Sequence, residues 1–126
     1  MDKKIICTKN APQPVGPYSQ AVIAGDLLYT SGQVPIIPET GAVLDGNISE
    51  QATLVCENVG AVLTAAGTGF NHVIKTTCFL ADMDDFAAFN QVYERYFTEK
   101  PARSCVAVKR LPRDVLCEIE AIAYLG

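Results

Sequence analysis

Apolar residues recur along this chain at two spacings, steps of two and steps of three or four, and the switches between them mark out its elements. Lys4 to Thr8 reads as a first strand. A loop with three prolines and a glycine follows, NAPQPVGPYSQ over residues 10–20. Ala21 to Ala24 and Leu27 to Thr30 are short apolar runs separated by Gly25-Asp26, which predicts a β-hairpin. Pro35 to Asn47 is rich in turn residues and reads as a surface loop. Ala52, Val55, Cys56, Val59, Val62, Leu63 and Ala66 then share one helical face. Ser49 is the expected N-cap of that helix and Gly67 its stop. His72 to Ala81 predicts another strand. Asp82 and Asp85 resemble a capping arrangement, and Phe86, Phe89, Tyr93, Tyr96 and Phe97 mark a second amphipathic helix, ended by Pro101. Two last strands are expected near Arg103 to Lys109 and Leu116 to Tyr124, joined by RLPRDV. The order β, β, β, α, β, α, β, β predicts an α+β fold. It would be a two-layer sandwich of a roughly six-stranded mixed sheet with two helices on one face.

Alternation in the last strands suggests what each face does. Cys117, Ile119, Ala121, Ala123 and Leu125 fall on one side, wholly apolar, and are expected under the helices. Glu118, Glu120, Ile122 and Tyr124 fall on the other. In the preceding strand Ser104, Val106 and Val108 are assigned to the helix side, and Arg103, Cys105 and Ala107 to the open side. If the two strands pair as a hairpin, Arg103 and Glu118 share the open face. A half-apolar sheet face with no helices of its own predicts a homo-oligomer whose sheets face inward.

The 126 residues are read as a single domain, 1–126. The formal net charge is −4, without a basic stripe, which argues against nucleic-acid binding. The N-terminus lacks the apolar run of a signal peptide, and no stretch is long and apolar enough to span a membrane. Five widely spaced cysteines without a C-x-x-C pair fit free thiols in the cytoplasm, and a single histidine, His72, gives no basis for a metal site.

Arg103, at the mouth of an apolar strand, needs a partner. Glu118 or Glu120 would give a structural ion pair; a ligand carboxylate or phosphate would be held by the planar guanidinium. In the second case Glu118 is free to orient water or move a proton. Tyr18 is either a loop aromatic on the core or a cleft residue. Gly32, after Ser31, either serves a turn or lets a ligand approach. Asn90 is a buried hydrogen-bonding residue or reaches the site. Cys105 lacks the base and oxyanion signature of a thiol nucleophile.

GPYSQA at 16–21, SGQVP at 31–35, KTTCFLADMDDFAAFN at 75–90, PARSCVAV at 101–108 and EIEAIA at 118–123 strongly resemble the RidA family, also called the YjgF/YER057c/UK114 family. The resemblance implies a chorismate-mutase-like fold and a homotrimer with its sheets packed inward and its sites in clefts between subunits. It also implies hydrolysis of reactive 2-imino or enamine acids, such as 2-aminoacrylate and 2-iminobutanoate, to 2-oxo acids and ammonia, with no metal or organic cofactor. By the same resemblance Arg103 binds the substrate carboxylate and Glu118 positions water. Cys105 contributes through its backbone, and Tyr18, Ser31, Gly32 and Asn90 line the cleft. A small-carboxylate-binding regulatory trimer is the alternative, and a ribonuclease or translation inhibitor a further one. In one departure from some members, FTEK runs straight into Pro101, without a longer segment before Pro-Ala-Arg.

Overall fold

Alternation at the C-terminal end of the chain builds the centre of the sheet. In the computed structural model, which describes residues 2–126, Cys117, Ile119, Ala121 and Ala123 of the last strand are at most 2% exposed. Six strands form one sheet: β1 (Lys3–Ile6), β2 (Ala21–Ala24), β3 (Leu27–Thr30), β4 (Val73–Leu80), β5 (Ala102–Ala107) and β6 (Cys117–Tyr124). Their order across it is β1-β2-β3-β6-β4-β5. All neighbours are antiparallel except β4 and β5, which run parallel. A parallel pair needs a crossover, and here a helix supplies it. The helices α1 (Ile48–Ala65) and α2 (Phe86–Tyr96) pack against each other, and both meet the same face of the sheet.

The expected apolar stripe of α1 is its buried face: Ala52, Val55, Cys56, Val59, Val62 and Leu63 are fully covered. Its start differs from expectation. Asn47, not Ser49, is the N-cap. Asn47 Oδ1 accepts from the Glu50 backbone N–H at 2.9 Å and Glu50 Oε1 accepts from the Asn47 N–H at 3.0 Å, a reciprocal capping box. Ser49 has no glutamate three residues on, so it sits in the first turn instead. Gly67 ends the helix as expected, at φ 82°, with Thr68 N–H donating to Leu63 O. Asp82 caps the short turn before α2 through the Asp84 N–H.

The pairing of the last two strands is the main correction. β5 does not form a hairpin with β6. It lies at the edge of the sheet beside β4, with Thr76 opposite Arg103 and Cys78 opposite Cys105. Directly opposed residues point the same way. Thr76 and Cys78 are buried under the helices, so Arg103 and Cys105 lie on the helix face and Ser104 and Val106 on the open face. Arg103 and Glu118 are therefore on opposite faces. The physical reason is that β5 pairs with β4 and not β6, a register that turns the guanidinium towards the rings and amide of α2.

The open face carries Ile5, Tyr29, Val106 and Tyr124, each at least 40% exposed. At its edge the loop from residue 8 to 20 folds back onto the sheet around Gln20, whose side chain is 1% exposed. Gln20 Oε1 accepts from the Thr8 N–H at 2.7 Å, and Nε2 donates to the carbonyls of Thr8, Ala11 and Pro12. A buried amide surrounded by backbone partners cannot be removed without stranding them. Gln20→Leu is expected to cost about 2–3 kcal/mol in urea denaturation. A loss below about 0.5 kcal/mol would show that the loop is held by other contacts.

Candidate functional site

The polar residues singled out in the sequence fall into two groups. The first lines a cavity of about 490 Å³ between the N-terminal loop, the end of β3 and β6. Tyr18 stands on its wall, half-exposed, with its hydroxyl near the Val15 N–H. Ser31 closes the join between loop and sheet: its hydroxyl donates to Ser19 O and its backbone N–H to Gln20 O. Gln33 then exchanges backbone hydrogen bonds with Ile119, which lays residues 31–33 alongside Glu118.

Gly32 is glycine here because of space, not dihedral angle. Its φ is not positive, but a Cβ would lie 2.7 Å from Glu118 Cδ and would run into the carboxylate oxygen. Glu118 thus packs directly over the Gly32 backbone. Burial raises its pKa above the ordinary 4.5, and the negative charge of Glu120, two residues on and in the same cavity, adds to the rise. Arg113 reaches the same cavity with its guanidinium tied to Gly41 O at 3.0 Å. It and Asp114 hold φ values of 56° and 57°, in the left-handed region.

The second group sits on the helix face of β5. Arg103 Nη1 donates to Asn90 Oδ1 at 2.7 Å. Its Cζ lies 4.8 Å from the centre of the Tyr93 ring and 5.5 Å from that of Phe86. Among the described residues the one salt bridge joins Arg110 to Asp114, both exposed. The reading of Arg103 as half of an ion pair with Glu118 or Glu120 is thereby overturned. The guanidinium meets an amide and two rings, none of which neutralises it. Cys105 lies beside Cys78, half-buried, and burial pushes its thiol up while Arg103 pulls it down. A thiol held in its neutral form is a poor nucleophile.

One chain therefore brings Tyr18, Ser31, Gly32 and Glu118 together, and separately Asn90, Arg103 and Cys105. It does not bring the two sets to one point. His72 is partly buried and stacks on Tyr124 at 4.3 Å, away from both. Gln20 and Thr76 were not singled out in the sequence, and Tyr93 was read there only as part of a helix stripe. Only Tyr93 left a trace there: with Phe86 and Asn90 it stands at i, i+4 and i+7 on α2. Among the described residues no group of three or more His, Cys, Asp or Glu could hold a metal, and no helix is long and apolar enough to cross a membrane.

Comparison with known proteins assigns this geometry a lineage. A family model described as Endoribonuclease L-PSP matches residues 8–125. A RutC family protein of Pyrococcus horikoshii is 57% identical over 123 residues, covering 97% of this chain and 98% of that protein. A Salmonella typhimurium protein named 2-iminobutanoate/2-iminopropanoate deaminase is 52% identical, covering 95% and 96%. The crystal structure of Escherichia coli TdcF with bound serine superimposes with a TM-score of 0.93 at 47% identity, covering 98% of this chain and 99% of that one. With a family match over residues 8–125, relatives more than half identical along almost their whole length and the α+β architecture in agreement, the chain belongs to the RidA (YjgF) family.

Proposed function

We propose that this protein hydrolyses reactive 2-imino and enamine acids, 2-aminoacrylate and 2-iminobutanoate among them, to 2-oxo acids and ammonia. The observation that carries the reading is Arg103: a half-buried, oriented guanidinium with no acid among the described residues to neutralise it. A ligand carboxylate is the complementary group. The serine bound to TdcF is a small carboxylate, and the name of the Salmonella relative supplies the reaction class.

The split of the site supports assembly. In the proposed homotrimer the open sheet faces pack inward, covering Ile5, Tyr29, Val106 and Tyr124. A ring of heterologous contacts lets β5 of one copy meet the cavity of the next. Each site then takes Asn90, Arg103 and Cys105 from one copy and Tyr18, Ser31, Gly32 and Glu118 from its neighbour.

The chemistry follows from these positions. An enamine first tautomerises to the imine, whose carbon is electrophilic. The substrate carboxylate docks on Arg103, which fixes where that carbon lies. Glu118, ionised, accepts a proton from water as the oxygen attacks the imine carbon. That proton passes to nitrogen, giving the carbinolamine; Glu118 then takes the carbinolamine hydroxyl proton and delivers it to nitrogen, so that C=O forms as the C–N bond breaks and ammonia and the 2-oxo acid leave. Orientation and proton shuttling by one carboxylate suffice, since a placed acid–base group gives roughly 10²–10⁴-fold. The desolvated Glu118 over Gly32 favours turnover over simple carboxylate sensing, which needs only the arginine. The net charge of −4 weighs against the nucleolytic label carried by the family model. Five free thiols suit the proposed cytoplasmic location.

Arg103→Ala and Glu118→Ala are each expected to lower imine hydrolysis roughly 100-fold, followed as 2-oxobutanoate release with threonine dehydratase and threonine. Mixed in equal amounts and refolded together, they are expected to recover about a quarter of wild-type activity, because one interface in four then pairs two intact halves. Mixed trimers without recovery would rule out a shared site. Gly32→Ala is expected to push the Glu118 carboxyl aside, lowering activity at least tenfold while changing stability by less than about 1 kcal/mol. Full activity in that variant would remove Glu118 from the mechanism.

The raised pKa of Glu118 also has a consequence for stability. The fold holds that proton more tightly than the unfolded chain does. Its contribution is full below the ordinary glutamate value and is lost as pH rises through the raised one. Glu118→Gln is expected to melt above wild type at pH 7, with the gap closing as pH falls below 4.5. Equal melting temperatures at pH 7 would contradict burial as the cause of the shift.

A further inference from the structure

The stripe Phe86, Asn90, Tyr93 on α2 meets Arg103 with three groups at once. We propose that Tyr93, pinned by Thr76, is a positioning residue: its ring fixes the plane of the Arg103 guanidinium so that the edge not taken by Asn90 faces the substrate carboxylate. This rests on the deaminase reading for the identity of the substrate, but the orientation itself can be measured without it.

An arginine side chain has four rotatable bonds and loses much freedom when held in one pose. A carboxylate gains the full two-pronged interaction only if the guanidinium plane is already set. Asn90 Oδ1, at 2.7 Å from Nη1, fixes rotation within the plane. It cannot fix the tilt of the plane. The Tyr93 ring, 4.8 Å from Cζ, can. That ring is itself immobilised. Tyr93 is 8% exposed, its hydroxyl lies 2.6 Å from the fully buried Thr76 Oγ1, and its other neighbour Phe97 stacks on it at 4.4 Å. Thr76 is also the residue directly opposite Arg103 in the β4–β5 register. The strand that carries the arginine and the strand that anchors the ring are thus hydrogen-bonded neighbours, so ring and guanidinium are both referenced to the same pair of strands. Burial pushes the phenol up to about 12, and the ring stays a neutral π-face at physiological pH.

The test separates positioning from packing. Tyr93→Leu is expected to raise KM for the imine about tenfold, and to weaken 2-oxobutanoate binding in calorimetry by the same factor, with kcat within about twofold of wild type. Tyr93→Phe, which keeps the ring, is expected to restore KM to within roughly threefold. In ¹⁵N–¹H spectra the Arg103 Nε–H resonance, assigned by its loss in Arg103→Lys, is expected to be shifted upfield by the ring and to move in Tyr93→Leu but not in Tyr93→Phe. Should Tyr93→Leu not fold, Tyr93→Phe against the near-isosteric Thr76→Val reads the same quantities, with a rise in KM of roughly threefold expected for Thr76→Val. The proposal is overturned by an unchanged KM and resonance in Tyr93→Leu, by a loss confined to kcat, or by wild type that does not bind 2-oxobutanoate. Wild type that binds 2-oxobutanoate and shows the shifted resonance but hydrolyses no imine removes the deaminase reading and leaves the positioning role standing.

Discussion

A β-sheet is one strand thick and has two faces, and this chain places its oriented guanidinium on one and its desolvated carboxylate on the other. The parity of the strands enforces this: Arg103 shares its face with Cys78 and Thr76, while Glu118 points the opposite way from Ile119 and Cys117. On opposite faces, and with β4 between their strands, the two charges cannot meet within one chain and form an internal pair. Kept apart, each is partly stripped of water and each lacks its counterpart. A positive fork without an acid and a carboxyl held above its ordinary pKa are groups still available for a ligand.

The rest of the architecture can be understood as holding those two groups in place. On the carboxylate side, Gln20 gathers the N-terminal loop by its backbone and Ser31 ties that loop to the end of β3. Gly32 leaves the space in which Glu118 lies. On the guanidinium side, α2 is both the crossover that permits parallel pairing of β4 and β5 and the source of the amide and rings beneath Arg103. The exposed apolar side chains of the open face would be covered in the proposed homotrimer, and that assembly is what would unite the halves.

Local patterns made most of the fold legible. The stripe of α1 and the alternation of β6 each have one apolar face, so periodicity alone orients them. Strand β5 does not. Arg-Ser-Cys-Val-Ala is small or mixed on both faces, and a one-residue change of parity reverses every assignment. Consecutive strands usually pair, but here β6 inserts between β3 and β4, a long-range arrangement that no local spacing encodes. The cap of α1 was decided by Glu50, which completes a box with Asn47 and not with Ser49. Family resemblance named the residues of the site but not their division between two faces. Gln20 escaped notice because its partners are backbone groups, which leave no mark on sequence.

The most direct measurement is a crystal structure of the protein grown with 2-oxobutanoate. The expected result is a carboxylate in two-pronged contact with Arg103 of one copy, its keto carbon within reach of Glu118 from an adjoining copy, in a ring of three. A lone copy, or a ligand gripped at some other place with Arg103 turned to solvent, would contradict it.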